Sequence, residues 1–84
     1  MNALLMKDNV FALICDVIYQ VNGIAPDEIK AQDSLIKDIA MDSVELVDFL
    51  IKLEDLGLVL DRSQITSDLT VEQVVEFMMA EFRR

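Results

Sequence analysis

The sequence predicts an all-α fold: a small four-helix bundle of three main helices and one short one, with a long first connector. Three observations predict it. Apolar residues recur at spacings of three and four in three separate stretches, which is the period of an amphipathic helix. The first two stretches close on Asn22-Gly23 and on Gly57, residue types that tolerate the left-handed position past a helix end. The short apolar run Leu58-Val59-Leu60 has the look of a strand, but no second run is there to pair with it.

The first helix is predicted from about Leu5 to Val21, with Val10, Leu13, Ile14, Val17, Ile18 and Val21 on its core stripe. Leu4, Leu5, Phe11, Cys15 and Tyr19 add apolar surface beyond that stripe. Phe11, Cys15 and Ile18 or Tyr19 form a second face at helical spacing, from which a dedicated partner or self-association through this helix is expected. Ile24 to Asp42 is the long connector. Pro26-Asp27-Glu28 suits a short helical turn, with proline first and acids after it. Ser34 to Lys37 suits another, and Ile29, Leu35 and Ile39 are the expected anchors of the connector to the core.

The second helix is predicted from Ser43 to about Leu56. Leu46, Phe49, Leu50 and Leu53 fall on one side and Glu45, Asp48, Lys52 and Asp55 on the other. Asp61 to Ser67 holds the short helix. Thr70 is the expected N-cap of the last helix, with Gln73 as the reciprocal member of a capping box. Val71, Val74, Val75, Met78 and Phe82 form its stripe. Arg83 and Arg84 follow where cations suit a helix C-terminus.

Composition bounds the function. Eighty-four residues make one domain, 1–84, and an apolar fraction of 54% supplies it with a core. A net charge of −9 argues against nucleic acid and anionic membrane surfaces as partners, because phosphates would be repelled. It suits basic protein surfaces, and a plainly solvated acidic surface gives the same number. No segment approaches the roughly 18 apolar residues of a membrane span, and no basic-then-apolar leader opens the chain. The lone Cys15 reads as a small buried hydrophobe, in keeping with a reducing cytoplasm. No histidine is present, so no ordinary base accompanies a serine nucleophile, and no catalytic residue is assigned. A calcium loop at Asp61 to Ile65 fails, because Ile65 stands at a ligand position and the expected glycine is missing. No metal site is expected.

The run Asp38-Ile39-Ala40-Met41-Asp42-Ser43-Val44 holds the most informative residue, Ser43. At a helix N-terminus its hydroxyl reaches the surface, in a field that favours a phosphate ester. One reading makes Ser43 an attachment point; the other makes it only an N-cap, worth about 1 kcal/mol. The same run, with its surroundings from Val10 to Phe82, resembles the acyl carrier protein family. That family's pattern of a leading Asp, an apolar residue, Gly, any residue and Asp-Ser-Leu falls on Asp38 to Val44. Val47-Asp48, Leu53-Glu54-Asp55 and Ile65 with Thr70-Val71 match as well.

The resemblance implies an acyl-carrier-like fold with 4′-phosphopantetheine attached covalently to Ser43. A phosphopantetheinyl transferase would donate it from coenzyme A, and Asp42 would help present the serine and the metal ion. It further implies a carrier, not an enzyme. Such a carrier holds acyl or polyketide intermediates as thioesters and presents them to ketosynthase and acyltransferase-type enzymes with basic docking patches. A type II polyketide or fatty acid pathway is implied. Glu45, Asp48, Glu54 and Asp55 are the implied charged contacts, and a solvated helix face reads the same way. Val44, Val47 and Ile51 are expected as apolar contacts beside the arm, with Ile51 equally placed for the core. Leu35, Leu50, Leu53, Leu60, Ile65, Val75 and Met78 are expected to line a space for cargo. Met41, Met78 and Met79 are its adaptable fillers; a plain packed core is the alternative for the empty carrier.

Two departures stand out. Ala40 replaces the usual glycine, so the turn before Ser43 is expected to take a conformation open to alanine. One residue is missing just before Gly57. The competing function is an unmodified acidic adaptor or inhibitor that binds a basic surface.

Overall fold

The structure, a computed structural model, describes residues 6–82. Three α-helices carry the fold: α1 (Lys7–Asn22), α2 (Ser43–Asp55) and α3 (Val71–Phe82). Two 3-10 turns, Pro26–Glu28 and Arg62–Gln64, stand in the connectors. The second of these takes the place of the predicted short helix. Among the described residues there is no strand. Leu58-Val59-Leu60 is irregular, with Leu58 buried and Val59 exposed.

The helix ends follow the local chemistry. Gly23 lies in the left-handed region at φ 86° and returns its N–H to the Tyr19 carbonyl, which closes α1. Gly57, at φ 100°, closes α2 with a pair of bonds. Its own N–H reaches the Glu54 carbonyl and the Leu58 N–H reaches the Leu53 carbonyl, the paired pattern of a Schellman cap. Leu53 and Leu58 are both buried, as that cap's hydrophobic contact requires. At the start of α3, Thr70 Oγ1 accepts the Gln73 N–H and Gln73 Oε1 accepts the Thr70 N–H, so the predicted capping box is present.

The core holds Val10, Ile14, Val17 and Ile18 of α1, Phe49 and Leu53 of α2, and Val71, Val74, Val75 and Met78 of α3. The predicted connector anchors Ile29, Leu35 and Ile39 join them. α1 packs against both α2 and α3. That arrangement corrects the expectation of an exposed second face on the first helix. Cys15 and Ile18 are buried, and Phe11 is half-buried against the core. A helix with a neighbour on two sides needs two apolar faces, so Cys15 and Ile18 are core and Phe11 packs at its edge. Tyr19 alone of that group is exposed, while Leu4 and Leu5, like Arg83 and Arg84, lie outside the described residues. Burial pushes the Cys15 thiol above its ordinary pKa, which keeps it protonated and unreactive.

A polar knot ties the first connector to the segment ahead of α3. Among the described residues Ser34 is the one buried polar residue. Its Oγ donates to the Ser67 carbonyl at 2.7 Å and accepts the N–H groups of Lys37 at 3.0 Å and Ile36 at 3.3 Å. Its N–H donates to Asp38 Oδ2 at 2.7 Å. Beside it the Leu35 N–H donates to the Leu69 carbonyl. The Asp33 and Ala31 carbonyls in turn accept the Val71 and Glu72 N–H groups, so two otherwise unpaired donors of α3's first turn are satisfied by the connector. Lys37 Nζ bridges to Asp68 Oδ1 at 2.8 Å across the same seam. That hydrogen bond, and then the charge attraction, hold the Asp68 carboxyl below its usual range and the Lys37 amine above its own. A depressed carboxyl pKa stabilises the fold above the unfolded carboxylate range and loses that contribution as pH falls through the lowered value. Both groups are exposed, so the effect is small.

Candidate functional site

The connector delivers the chain to α2 through a tight reversal. Asp38 and Ile39 both donate their N–H groups to the Ser34 carbonyl, and the Met41 N–H reaches back to the Leu35 carbonyl at 3.0 Å. Closing this loop puts Ala40 at φ 62°, in the left-handed region. The expectation that the turn avoids such a conformation is therefore corrected. The backbone keeps the shape that glycine ordinarily serves, and alanine adopts it under strain because the surrounding hydrogen bonds and the buried Ile39 and Met41 fix both sides. Ala40 is exposed. Ala40→Gly is expected to raise the unfolding free energy by about 0.5–1 kcal/mol, the relief of left-handed strain less the extra freedom of glycine in the unfolded chain. An increase in the urea midpoint at unchanged slope checks it, and a decrease contradicts it.

Asp42 follows in extended conformation and caps α2. Its Oδ1 accepts the Glu45 N–H at 2.8 Å, and Glu45 Oε1 accepts the Asp42 N–H at 3.2 Å. The capping role that the sequence left open for Ser43 thus belongs to Asp42. Ser43 is the first residue of the helix and is exposed. Among the described residues its hydroxyl has no hydrogen-bond partner. It stands at the positive end of the α2 dipole, with no internal task.

Beyond Ser43, Val44, Val47 and Ile51 line an open groove together with Ser43 and Asp48. Val44 is 76% exposed, Val47 55% and Ile51 52%, which settles Ile51 on the surface and not in the core. Glu54 and Asp55 are exposed nearby on the helix, while Asp48 is half-buried and pairs with Lys52 at 3.6 Å. Glu45, expected on the charged face, is half-buried, and its Oε1 also accepts from Asn22 Nδ2 at 2.9 Å. The capping box and the reach from α1 engage it internally. Sequence reasoning saw Asn22 only as a helix terminator and gave no sign of this bond.

Of the residues expected around a cargo space, Leu35, Leu53, Val75 and Met78 lie together in the core cluster, with Leu60 and Ile65 half-buried against it. Leu50 is placed differently. It is half-buried and stands apart from that cluster. At about 100° per residue it falls on the helix surface between half-buried Leu46 and exposed Val47.

Residues 12–78 match the family described as the phosphopantetheine attachment site. The chain belongs to the acyl carrier protein family. Its relatives include an acyl carrier protein of Campylobacter hominis, 27% identical over 70 residues, which cover 82% of this chain and 89% of that one. The meromycolate extension acyl carrier protein of Mycobacterium leprae is 29% identical over 73 residues, covering 86% of this chain but 64% of its own length. That of Mycolicibacterium smegmatis is 26% identical over the same number of residues. The carrier is accordingly not an enzyme, and phosphopantetheine is its prosthetic group. No described helix is long and apolar enough to cross a membrane.

Proposed function

We propose that Ser43 takes the 4′-phosphopantetheine arm, and that the chain is a discrete carrier domain, 1–84, working with separate cytoplasmic enzymes in a type II polyketide or fatty acid pathway. The observation that carries the assignment is the free hydroxyl of Ser43 at the first helical position, with Asp42 doing the capping beside it. The residues present fit the group. An exposed hydroxyl is open to a phosphodiester, the helix N-terminus favours the phosphate charge, and the apolar groove beginning at Ser43 gives the arm a surface to lie along. The arm's terminal thiol supplies the thioester on which intermediates are held.

In loading, Ser43 Oγ forms the bond to the phosphorus that bears the pantetheine, the bond from that phosphorus to the adenosine bisphosphate portion of coenzyme A breaks, and the hydroxyl proton passes to a base of the transferase. The carboxyl of Asp42 keeps Oδ1 on the helix cap, and its other oxygen would help hold the metal ion of the transferase.

Docking requires weak contacts that many enzymes reuse. Val44, Val47 and Ile51 offer an apolar centre, and Asp48, Glu54 and Asp55 give charge for basic patches on a transferase, a ketosynthase or an acyltransferase-type enzyme. The cluster of Leu35, Leu53, Val75 and Met78, edged by Leu60 and Ile65, is the space that would open for cargo, with Met78 as its adaptable wall. Leu50, between that core and Val47, lies on the route in.

Intact mass decides the assignment. After incubation with coenzyme A, magnesium and a broad-range transferase, the protein is expected to gain one arm, and Ser43→Ala to gain none. An unchanged wild-type mass across several transferases overturns it.

A further inference from the structure

The bond between Asn22 and Glu45 joins two elements that the sequence treats separately. Asn22 is the last residue of α1, and Glu45 lies in the first turn of α2. Glu45 Oε1 is a shared acceptor, taking Asn22 Nδ2 at 2.9 Å from one side and the Asp42 N–H at 3.2 Å from the other. Through the 2.8 Å bond from the Glu45 N–H to Asp42 Oδ1, the end of α1 is thereby tied to the capping box of Asp42 and Glu45, within which Ser43 lies. The Asn22–Glu45 bond is part-buried, so water competes for it less than at an exposed pair. Asn22 is itself held in place because Gly23 closes α1 directly after it.

We propose that Asn22 is a positioning residue for loading of the carrier. It acts through Glu45 to fix the first turn of α2, and hence the direction in which the Ser43 hydroxyl is offered. This rests on the reading of Ser43 as the attachment residue. It also assigns Glu45 a different task from the docking that the family resemblance implies. Its carboxylate serves the carrier's own geometry, whereas Asp48, Glu54 and Asp55 remain for partners. A nucleophile held in one orientation reacts faster once bound, so loss of the clamp lowers kcat, whereas loss of a docking charge raises KM.

The test is steady-state loading from coenzyme A by one transferase, with kcat and KM measured in the carrier. Circular dichroism confirms that each variant remains helical. Asn22→Ala is expected to lower kcat about three- to tenfold with KM little changed, the scale of one hydrogen bond read as a rate. Asn22→Asp sets two carboxylates against each other and is expected to lower it further. Glu45→Gln keeps an acceptor for the Asp42 N–H and is expected to leave KM near wild type. The double variant Asn22→Asp with Glu45→Gln removes the clash of carboxylates and divides between the amide oxygen and the amide nitrogen the two bonds that Glu45 Oε1 carries alone, so it is expected to recover part of the kcat lost in Asn22→Asp. That rescue is what separates positioning from a merely structural role. A wild-type kcat in Asn22→Ala, or no recovery in the double variant, or a raised KM in Glu45→Gln, overturns the proposal while the Ser43 assignment stands. Arm loading on Ser43→Ala, or none on wild type, overturns both.

Discussion

Phe49→Ala is expected to lower the unfolding free energy by about 3–5 kcal/mol, the range for removing a large buried aromatic side chain with incomplete collapse around the void. Phe49 is the largest of the fully buried side chains, at 0% exposure, and it anchors α2 in the core one turn after Glu45. Alanine is the better helix former, so the loss is tertiary and owes nothing to helix propensity. A domain of this size is stable by roughly 4–12 kcal/mol in all, so the variant is left marginal. Urea unfolding followed by circular dichroism is the measurement. Val47→Ala, on the same helix at 55% exposure, is the comparison and is expected to shift stability by no more than about 0.5 kcal/mol. Similar midpoints for the two variants would contradict the burial pattern of α2. Because α2 presents Ser43 and the groove beside it, a helix that loosens from the core loses that presentation along with its stability.

What was legible in the sequence was whatever rests on period and local chemistry. The core stripes of α1 and α3, the Thr70–Gln73 capping box, the glycine stops and the connector anchors Ile29, Leu35 and Ile39 all come from one-dimensional pattern, and the structure carries each of them. The role proposed for Ser43 rests on something else: an Asp-Ser pair at a helix start matters only in the context of a family motif. The rest depended on which elements meet. The second apolar face of α1 reads as a free patch until α2 and α3 are placed on either side of it. Glu45 reads as a surface acid until Asn22 arrives from α1. Leu50 and Ile51 are adjacent in the chain and alike in chemistry, and only the rotation of α2 against the core puts one at its edge and the other in solvent. Ala40 is the opposite case, a position where residue type does not govern backbone conformation. The loop's closure by Met41 and Leu35 governs it instead, and the residue bears the strain.

The Ser34 hydroxyl is where such a long-range dependence is most concentrated, and Ser34→Ala is expected to destabilise the fold by about 2–3 kcal/mol. The hydroxyl donates to the Ser67 carbonyl and accepts the N–H groups of Lys37 and Ile36, and the residue is 5% exposed. Removing it leaves a carbonyl and two N–H groups without this partner, at a buried position where water replaces it poorly. A buried group left unpaired costs about 1–3 kcal/mol. Ser43→Ala supplies the internal standard: the same atom is removed, but from an exposed hydroxyl that has no partner among the described residues, so its stability is expected to stay within about 0.5 kcal/mol of wild type. The two serines therefore exchange roles between assays. Ser34→Ala loses stability, and while folded it still offers Ser43 for loading; Ser43→Ala keeps stability and takes no arm. The loss in Ser34→Ala should also be local before it is global, because the knot joins the connector to the start of α3 while α1 and α2 keep their own packing. Amide exchange is expected to quicken first at Leu35, Lys37 and Val71, whose N–H groups lie in or beside the knot. Equal unfolding midpoints for the two serine variants would mean that the Ser34 bonds contribute nothing net, and the connector would then be held by its apolar anchors alone.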